Sequence, residues 1–332
     1  MTINRTLTFG FVPHSFDGSS YYRIWLPVSH FQQESHHRVF AAKPGSFEAS
    51  AEMARDFDAI CFQRPAGREG ALMLEKLVGH TKLVYEVDDD MLNATTAGIP
   101  SLVSKQLRSS VKRCLRLCDM VTTTNEYLAD MIRPYNDNIQ ILPNHIKAGL
   151  LDMVRPQRDR LTIGWAGGTS HLGDMVTVEE PMRRVLDDNP DVDMHFIGTD
   201  LSPLVKHECR FTPWQADVGD YYKGIDFDIA IAPSEDTVFN RSKTWLRALE
   251  MGALGIPIVA QNRLPYSDYV IDGKTGFLVN TEQEWYDRIT ELINDPEMRA
   301  EMGAAARIQA SEWTIEDGWR KWEAAYEHAV EG

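Results

Sequence analysis

The chain has 332 residues and a formal net charge of −15, from 34 Lys and Arg against 49 Asp and Glu. With 43% hydrophobic and 25% charged residues its composition is globular, which excludes wholesale disorder, a collagen-like fibre and a small disulfide scaffold. The length suits two domains of ~100–200 residues each, and the acid excess argues against a surface built to grip phosphate backbones, though a local basic patch remains open.

Short apolar runs alternate with helical patterns from end to end, the mark of parallel α/β units. In the first half the predicted strands are Leu7–Val12, Arg38–Ala42, Ala59–Gln63, Lys82–Val87, Met120–Thr124 and Ile139–Leu142. A helix is predicted over Leu102–Leu117. The polar run Arg155 to Arg160 has no periodicity and reads as a linker. The pattern then restarts with strands Leu161–Trp165, Val192–Ile197, Arg210–Pro213, Asp228–Ala232, Ile258–Ala260 and Gly276–Val279, and with helices over Asp174–Asp188 and Ser242–Leu254. The expected fold class is α/β, two Rossmann-like domains facing across a cleft. No stretch reaches the ~18 apolar residues of a membrane span, and Met1 to Gly10 runs straight into a strand pattern with no secretory leader, so a cytoplasmic protein is expected. Cys61, Cys114, Cys118 and Cys209 lack zinc spacing and read as buried free thiols.

Two segments carry candidate chemistry. Gly164-Trp165-Ala166-Gly167-Gly168-Thr169-Ser170-His171 leaves a strand toward a helix, where backbone N–H groups can meet an anion; it is neither GxGxxG nor a P-loop, and a tight turn is the alternative. In the second, Ser242 is the expected N-cap of a helix whose first turn holds Lys243. Lys243, Arg247 and Glu250 then share one face, where a Lys suits a diphosphate and a carboxylate accepts hydrogen bonds from sugar hydroxyls. A solvated stripe with an Arg247–Glu250 pair is the plainer alternative.

The stretch with Asp236, Phe239-Asn240, Lys243-Thr244, Glu250-Met251 and Gly255-Ile256-Pro257-Ile258-Val259-Ala260 resembles the donor-binding segment of GT-B glycosyltransferases. It is most similar to the largely retaining group 1, or family 4-like, members marked by two glutamates separated by seven residues. Asp272-Gly273-Lys274-Thr275-Gly276-Phe277-Leu278-Val279, Leu142-Pro143-Asn144 and the Gly167-Gly168…His171…Asp174 run resemble further motifs of that family. The resemblance is dense in the C-terminal half and loose in the N-terminal half. It implies a first domain over 1–155 on the acceptor side, a nucleotide-sugar-binding domain over 156–312, and a helix over 313–332 crossing back to the first.

By that resemblance Glu250 binds ribose hydroxyls, and Lys243, Thr244 and the Gly167-Gly168 loop hold the diphosphate, with Asn240 beside them. Eight positions before Glu250 stands Ser242, so the first glutamate of the pair is missing; Asp236 and Glu235 are the nearest substitutes. His171 is placed near the site. Asp88-Asp89-Asp90 has three readings: a cleft-facing role for Asp88 toward the donor sugar, a solvated loop or helix cap, or a metal site. On the acceptor side Arg23, Arg64 and Tyr21 are expected to line the cleft, since they lie at or beyond carboxyl ends of parallel strands.

Lys105, Arg108, Lys112 and Arg116 share a face of the 102–117 helix, either a solvated surface or a peripheral contact with a membrane or acidic partner. Trp319, Trp322, Ala325 and Tyr326 read as a packing face. The expected activity is transfer of a sugar from a nucleotide-diphosphate sugar to an acceptor hydroxyl of a glycan, lipid, protein or modified nucleic acid, with retention, no metal and no cofactor. A nucleotide-sugar epimerase of GT-B shape and a phage-type glycosyltransferase acting on nucleic acid or protein are the alternatives.

Overall fold

Strands covered on both faces by helices are selected by continuous apolar runs; Ala59–Gln63 and Ile229–Ala232 are buried at every position. The computed structural model describes residues 5–93 and 104–332. One sheet holds β1 (Thr8–Val12), β2 (Arg38–Ala41), β3 (Ala59–Gln63), β4 (Lys82–Glu86), β5 (Met120–Thr123) and β6 (Ile139–Ile141), in the order β2-β1-β3-β4-β5-β6. The other holds β7 (Thr162–Gly167), β8 (Asp193–Gly198), β9 (Arg210–Pro213), β10 (Ile229–Ala232), β11 (Ile258–Gln261) and β12 (Gly276–Val279), in the order β12-β11-β10-β7-β8-β9. Each strand lies within two residues of its sequence-based bounds. All pairings are parallel, with Phe9 opposite both Val39 and Ala59, and Ile163 opposite Met194 and Ile229.

Each sheet reverses its winding once, between β1 and β3 and between β7 and β10, and such reversals open a crevice at the carboxyl ends of the strands. The two crevices face each other.

Two predicted helices are broken. The 174–188 pattern splits into Leu172–Val176 and Glu179–Asp188, because Pro181 has no N–H to offer Thr177 and its ring crowds that carbonyl; it sits instead in the first turn of a new helix. The 242–254 helix loses its first turn: it runs over Leu246–Ala253 and is preceded by a separate short helix, Val238–Arg241. Ser242 is the C-cap of the first piece, not the N-cap of the second, and Lys243 lies in the connection. Trp245 is the N-cap of the second helix and makes no side-chain capping bond; one position earlier, Thr244 Oγ1 accepts the Leu246 N–H at 3.2 Å.

The basic helix is Lys105–Leu117, N-capped by Ser104; Leu102 and Val103 lie outside the described residues. Lys112 and Arg116 stand over the Tyr135 ring at 5.1 and 5.0 Å. All four cysteines are free, three buried and Cys209 half-buried. Among the described residues no helix is long and apolar enough to cross a membrane.

Helix Ile315–Glu331 packs its Trp319, Trp322, Ala325 and Tyr326 into the first sheet's core. Tyr326 meets the rings of Phe9, Phe11 and Phe31 at 5.9, 4.9 and 6.1 Å. The chain therefore crosses between the halves twice, and the crossings are tied: Ile146 N–H donates to Trp313 O at 3.0 Å and Ile315 N–H to Ile146 O at 2.8 Å. His145 fills the angle between them so closely that a Cβ on Gly318 would lie 2.2 Å from its Nε2.

Burial, with the charges of Lys321 and Arg23, pushes His145 down to about 4. Between pH 6.5 and 4 the unfolded chain binds a proton there that the native state does not, so stability falls as pH drops through that window, by up to about 3 kcal/mol at its lower end. Urea denaturation at pH 7 and 4.5 should show this loss. His145→Asn, which keeps a donor for Pro143 O, should flatten it.

Candidate functional site

A cavity of about 510 Å³ occupies the crevice where the two switch points meet. The first sheet supplies Asp17, Gly18, Ser19 and Tyr22 after β1, Arg64 after β3, and Asp88 and Asp89 after β4. The second supplies Gly167, Gly168, His171 and Asp174 beyond β7, Ser234 after β10, and Asn240, Lys243, Thr244, Arg247 and Glu250.

The floor is organised by Asp174. Its Oδ2 accepts from His171 Nδ1 at 2.7 Å, and its Oδ1 accepts from Asn240 Nδ2 at 2.5 Å and from Glu235 N–H at 2.8 Å. One carboxylate thus fixes the glycine-loop histidine and the loop before Lys243. Burial and the nearby Arg247 charge push His171 down to about 4. The neutral ring donates its Nδ1–H to Asp174 and carries its lone pair on Nε2.

Three cations converge. Lys243 Nζ lies 4.3 Å over the Phe239 ring and 3.6 Å from Asp89 Oδ1. Arg247 donates to Tyr266 Oη at 3.0 Å and leans over Trp165. Arg64 reaches Asp88 and Asp89, each at 3.7 Å, from a backbone φ of 49°. That left-handed conformation costs a non-glycine residue on the order of 1 kcal/mol and concentrates at functional sites. Burial opposes ionisation of Asp89, but Lys243, Arg64 and His171 outweigh it and hold the carboxyl below its usual range. The three acids divide their work: Asp88 accepts from Ser19 Oγ at 2.5 Å, Asp89 faces Lys243, and Asp90 accepts the Leu92 and Asn93 N–H groups at 2.7 and 2.8 Å. Asp88 and Asp89 thus line the cavity, while Asp90 is buried and closes a turn rather than a helix.

Glu250 is buried at the far end of the cavity. Its carboxylate accepts from the hydroxyls of Tyr22, Tyr222 (3.3 Å) and Tyr221 (3.4 Å). Burial pushes it upward from the usual carboxylate range, against those hydrogen bonds and the Arg247 charge.

The two glycines differ. A Cβ on Gly167 would stand 2.7 Å from the Trp165 ring and 2.8 Å from Arg247 Nη2, whereas one on Gly168 meets nothing within 4 Å. Gly167→Ala should therefore displace Arg247 and weaken anion binding several-fold, a shift of about 1 kcal/mol. Gly168→Ala should leave the melting temperature unchanged. Calorimetric titration and a melting curve on each variant check both.

Of the residues singled out from sequence, Asp88, His171, Gly167, Gly168, Asn240, Lys243, Thr244, Glu250 and Arg64 line this cavity. Three do not. Arg23 is fully buried, with Nε and Nη2 on the two Glu86 carboxylate oxygens at 2.6 and 3.1 Å and Nη1 on Leu142 O and Asn144 Oδ1 at 2.5 and 2.9 Å. Tyr21 is half-buried beside Tyr22, and it is Tyr22 that enters the cavity. A π-helical turn over Tyr21–Trp25 causes both exchanges, since its i→i+5 bonding rotates the side chains relative to an α-helix. Asp236 is 56% exposed, bound to Arg241 and outside the cavity lining; Ser242 itself is buried, donating to Phe239 O at 2.7 Å.

Asn144, Trp214 and Tyr266 line the cavity without having been singled out as site residues from the sequence, whereas Tyr22 belongs to the 17–23 loop expected there. Asp174 and Arg247, named from the sequence only in a family motif and on the Lys243–Glu250 face, prove to be cavity residues as well.

The family model described as glycosyl transferases group 1 matches residues 185–309. Over 241 residues, 62% of this chain and 55% of the relative, the sequence is 26% identical to a D-inositol 3-phosphate glycosyltransferase of Arthrobacter sp. (strain FB24). The chain thus spans about half the length of that curated relative. A sucrose-phosphate synthase structure from Thermosynechococcus elongatus superposes with a TM-score of 0.71 at 14% identity, covering 98% of this chain and 99% of that one. The Anabaena protein HepE in complex with UDP and glucose superposes with a TM-score of 0.69 at 14% identity, covering 97% and 100%. The fold is GT-B.

Proposed function

We propose that this chain, a GT-B protein of the glycosyl transferases group 1, moves a sugar from a nucleotide-diphosphate sugar to an acceptor hydroxyl. The observation that carries the reading is the convergence, in one interdomain cavity, of Lys243, Arg247 and the Gly167-Gly168 loop with the buried carboxylate of Glu250. The cations and the loop suit a diphosphate, and Glu250 suits a ribose diol. The HepE complex with UDP and glucose supports a nucleotide-sugar ligand for this kind of fold.

In this reading the bond from the sugar's anomeric carbon to the diphosphate oxygen breaks as the acceptor oxygen bonds to that carbon. The acceptor proton passes to the departing phosphate. Negative charge grows on the leaving diphosphate, so cations fixed beforehand stabilise the transition state more than the ground state. Lys243 and Arg247 do that work without a metal. Asp88, and Nε2 of the neutral His171, face the sugar. The family resemblance supports retention at the anomeric carbon.

Incubation with UDP-, GDP-, ADP- and TDP-sugars tests the reading. Stabilisation of the fold by one donor, with release of its nucleoside diphosphate that persists in EDTA, is expected. Interconversion of the donor sugar with no acceptor present would instead identify an epimerase, and a β-linked product from an α-linked donor would overturn retention.

A further inference from the structure

We propose that Tyr22 and Asp89, two side chains of the N-terminal half, stand in the ribose and diphosphate positions of the donor site and must be displaced before a donor binds. The proposal rests on the reading of Glu250 and Lys243 as the groups that hold the nucleotide. Each of these is met across the cleft by a group of the chemical kind a nucleotide would offer it. Glu250 receives the Tyr22 hydroxyl, as it would a ribose hydroxyl. Lys243 Nζ faces an anionic oxygen of Asp89 at 3.6 Å, as it would a diphosphate oxygen.

The other partners of Glu250 differ in kind. Tyr221 and Tyr222 belong to helix Val218–Lys223, on the same half as Glu250, and travel with it. Tyr22 belongs to the turn after β1 and closes the carboxylate from the opposite side; it is 4% exposed and Glu250 6%. Tyr22 and Glu250 both line the cavity, so a ribose diol entering it meets the Tyr22 hydroxyl already on the carboxylate.

Asp89 is arranged to let go. It lies 3.7 Å from Arg64 Nη1 as well, so a diphosphate that takes Lys243 leaves Asp89 with Arg64 and strands no charge. Other cross-cleft bonds hold the Lys243 loop by two backbone carbonyls and by Thr244 Oγ1, which accepts there and keeps its own O–H to donate to a phosphate. Asn125 Nδ2 donates to the Ser242 and Lys243 carbonyls at 2.8 and 3.2 Å, and Asn144 Nδ2 to Thr244 Oγ1 at 3.2 Å. Those bonds can persist while the two side-chain contacts exchange.

A self-occupied site binds its ligand more weakly by the fraction of molecules in the competent state. Calorimetric titrations of the full chain with UDP, GDP, ADP and TDP, and with the parent nucleoside of the tightest binder, test this. Tyr22→Phe should tighten both the diphosphate and the nucleoside by about three- to tenfold, and Asp89→Asn should tighten the diphosphate by a similar factor while leaving the nucleoside unchanged. The two gains should multiply in the double variant. A merely structural role for either residue would weaken binding or lower the melting temperature without tightening anything. If both variants bind no more tightly than the parent while Lys243→Ala and Glu250→Ala bind more weakly, the self-occupancy proposal is overturned and the site assignment stands. If Lys243→Ala and Glu250→Ala bind as the parent does, or no diphosphate binds at all, the site assignment fails and takes the proposal with it.

Discussion

Lys243→Ala should weaken nucleoside-diphosphate binding by about 10- to 100-fold, the range for losing a hydrogen-bonded charge from a partly buried anion site. The turnover number should fall further, by about 10²–10³, because charge on the leaving group peaks in the transition state. Two features make the drop specific. Lys243 sits in a connection rather than in a helix, so no helical propensity is altered, and its partner Asp89 retains Arg64 at 3.7 Å. The melting temperature should accordingly move by no more than about 2 °C, as expected for a pair with partial access to solvent. Titration calorimetry, steady-state turnover and a melting curve on one preparation check all three. A large fall in stability with unchanged affinity per folded molecule would assign Lys243 to the scaffold.

The opposite pattern is expected at Arg23. Its guanidinium has both fork arms on Glu86, a third bond to Leu142 O, a fourth to Asn144, and the Trp322 ring 4.6 Å away. Thr122 Oγ1 donates to the same Glu86. Removing one member of such a fully enclosed pair leaves a buried charge with nothing to meet it. Arg23→Ala should therefore cost about 3–5 kcal/mol, read as a shorter urea transition and a melting temperature lower by roughly 10 °C. Arg23→Met combined with Glu86→Leu should recover most of that loss, since a well-packed apolar pair commonly matches a buried ion pair. Below the melting point the acceptor KM of Arg23→Ala should stay near the parent value. A selective rise in KM would return Arg23 to the acceptor side of the cleft.

The contrast between these residues shows what could be read from the chain alone. The strands were legible because a strand buried on both faces admits only apolar residues, and runs such as Ala59–Gln63 end sharply at polar ones. Lys243, Glu250 and Gly167-Gly168 were legible because charges and paired glycines beside an otherwise apolar strand–helix unit stand out. Arg23 and Tyr21 were misplaced because they sit in a π-helical turn well past the end of β1, a feature without any mark in composition, and that turn sends Arg23 into the core. The break at Ser242–Trp245 was hidden for a different reason. It is held by Asn125 and Asn144, 117 and 100 positions earlier in the chain than their partners, and no local pattern encodes so distant a bond. Pro181 did carry the signal for its break, and apolar spacing alone overrode it.

The return of helix Ile315–Glu331 to the first sheet also sets the order in which the protein can mature. Phe9, Phe11 and Phe31 find Tyr326 only when the last stretch of chain has been made, and Arg23 finds Trp322 at the same moment. The second half has a further buried cluster around Trp165, Phe196 and Trp285 whose members, through Met302, are all made before that helix. At ~5–20 residues per second, the ribosome takes roughly ten to thirty seconds to travel from the linker to that helix. Throughout that interval the earlier-made half waits with its aromatic face uncovered, exposed to aggregation and a natural client for chaperones, while the later-made half closes first.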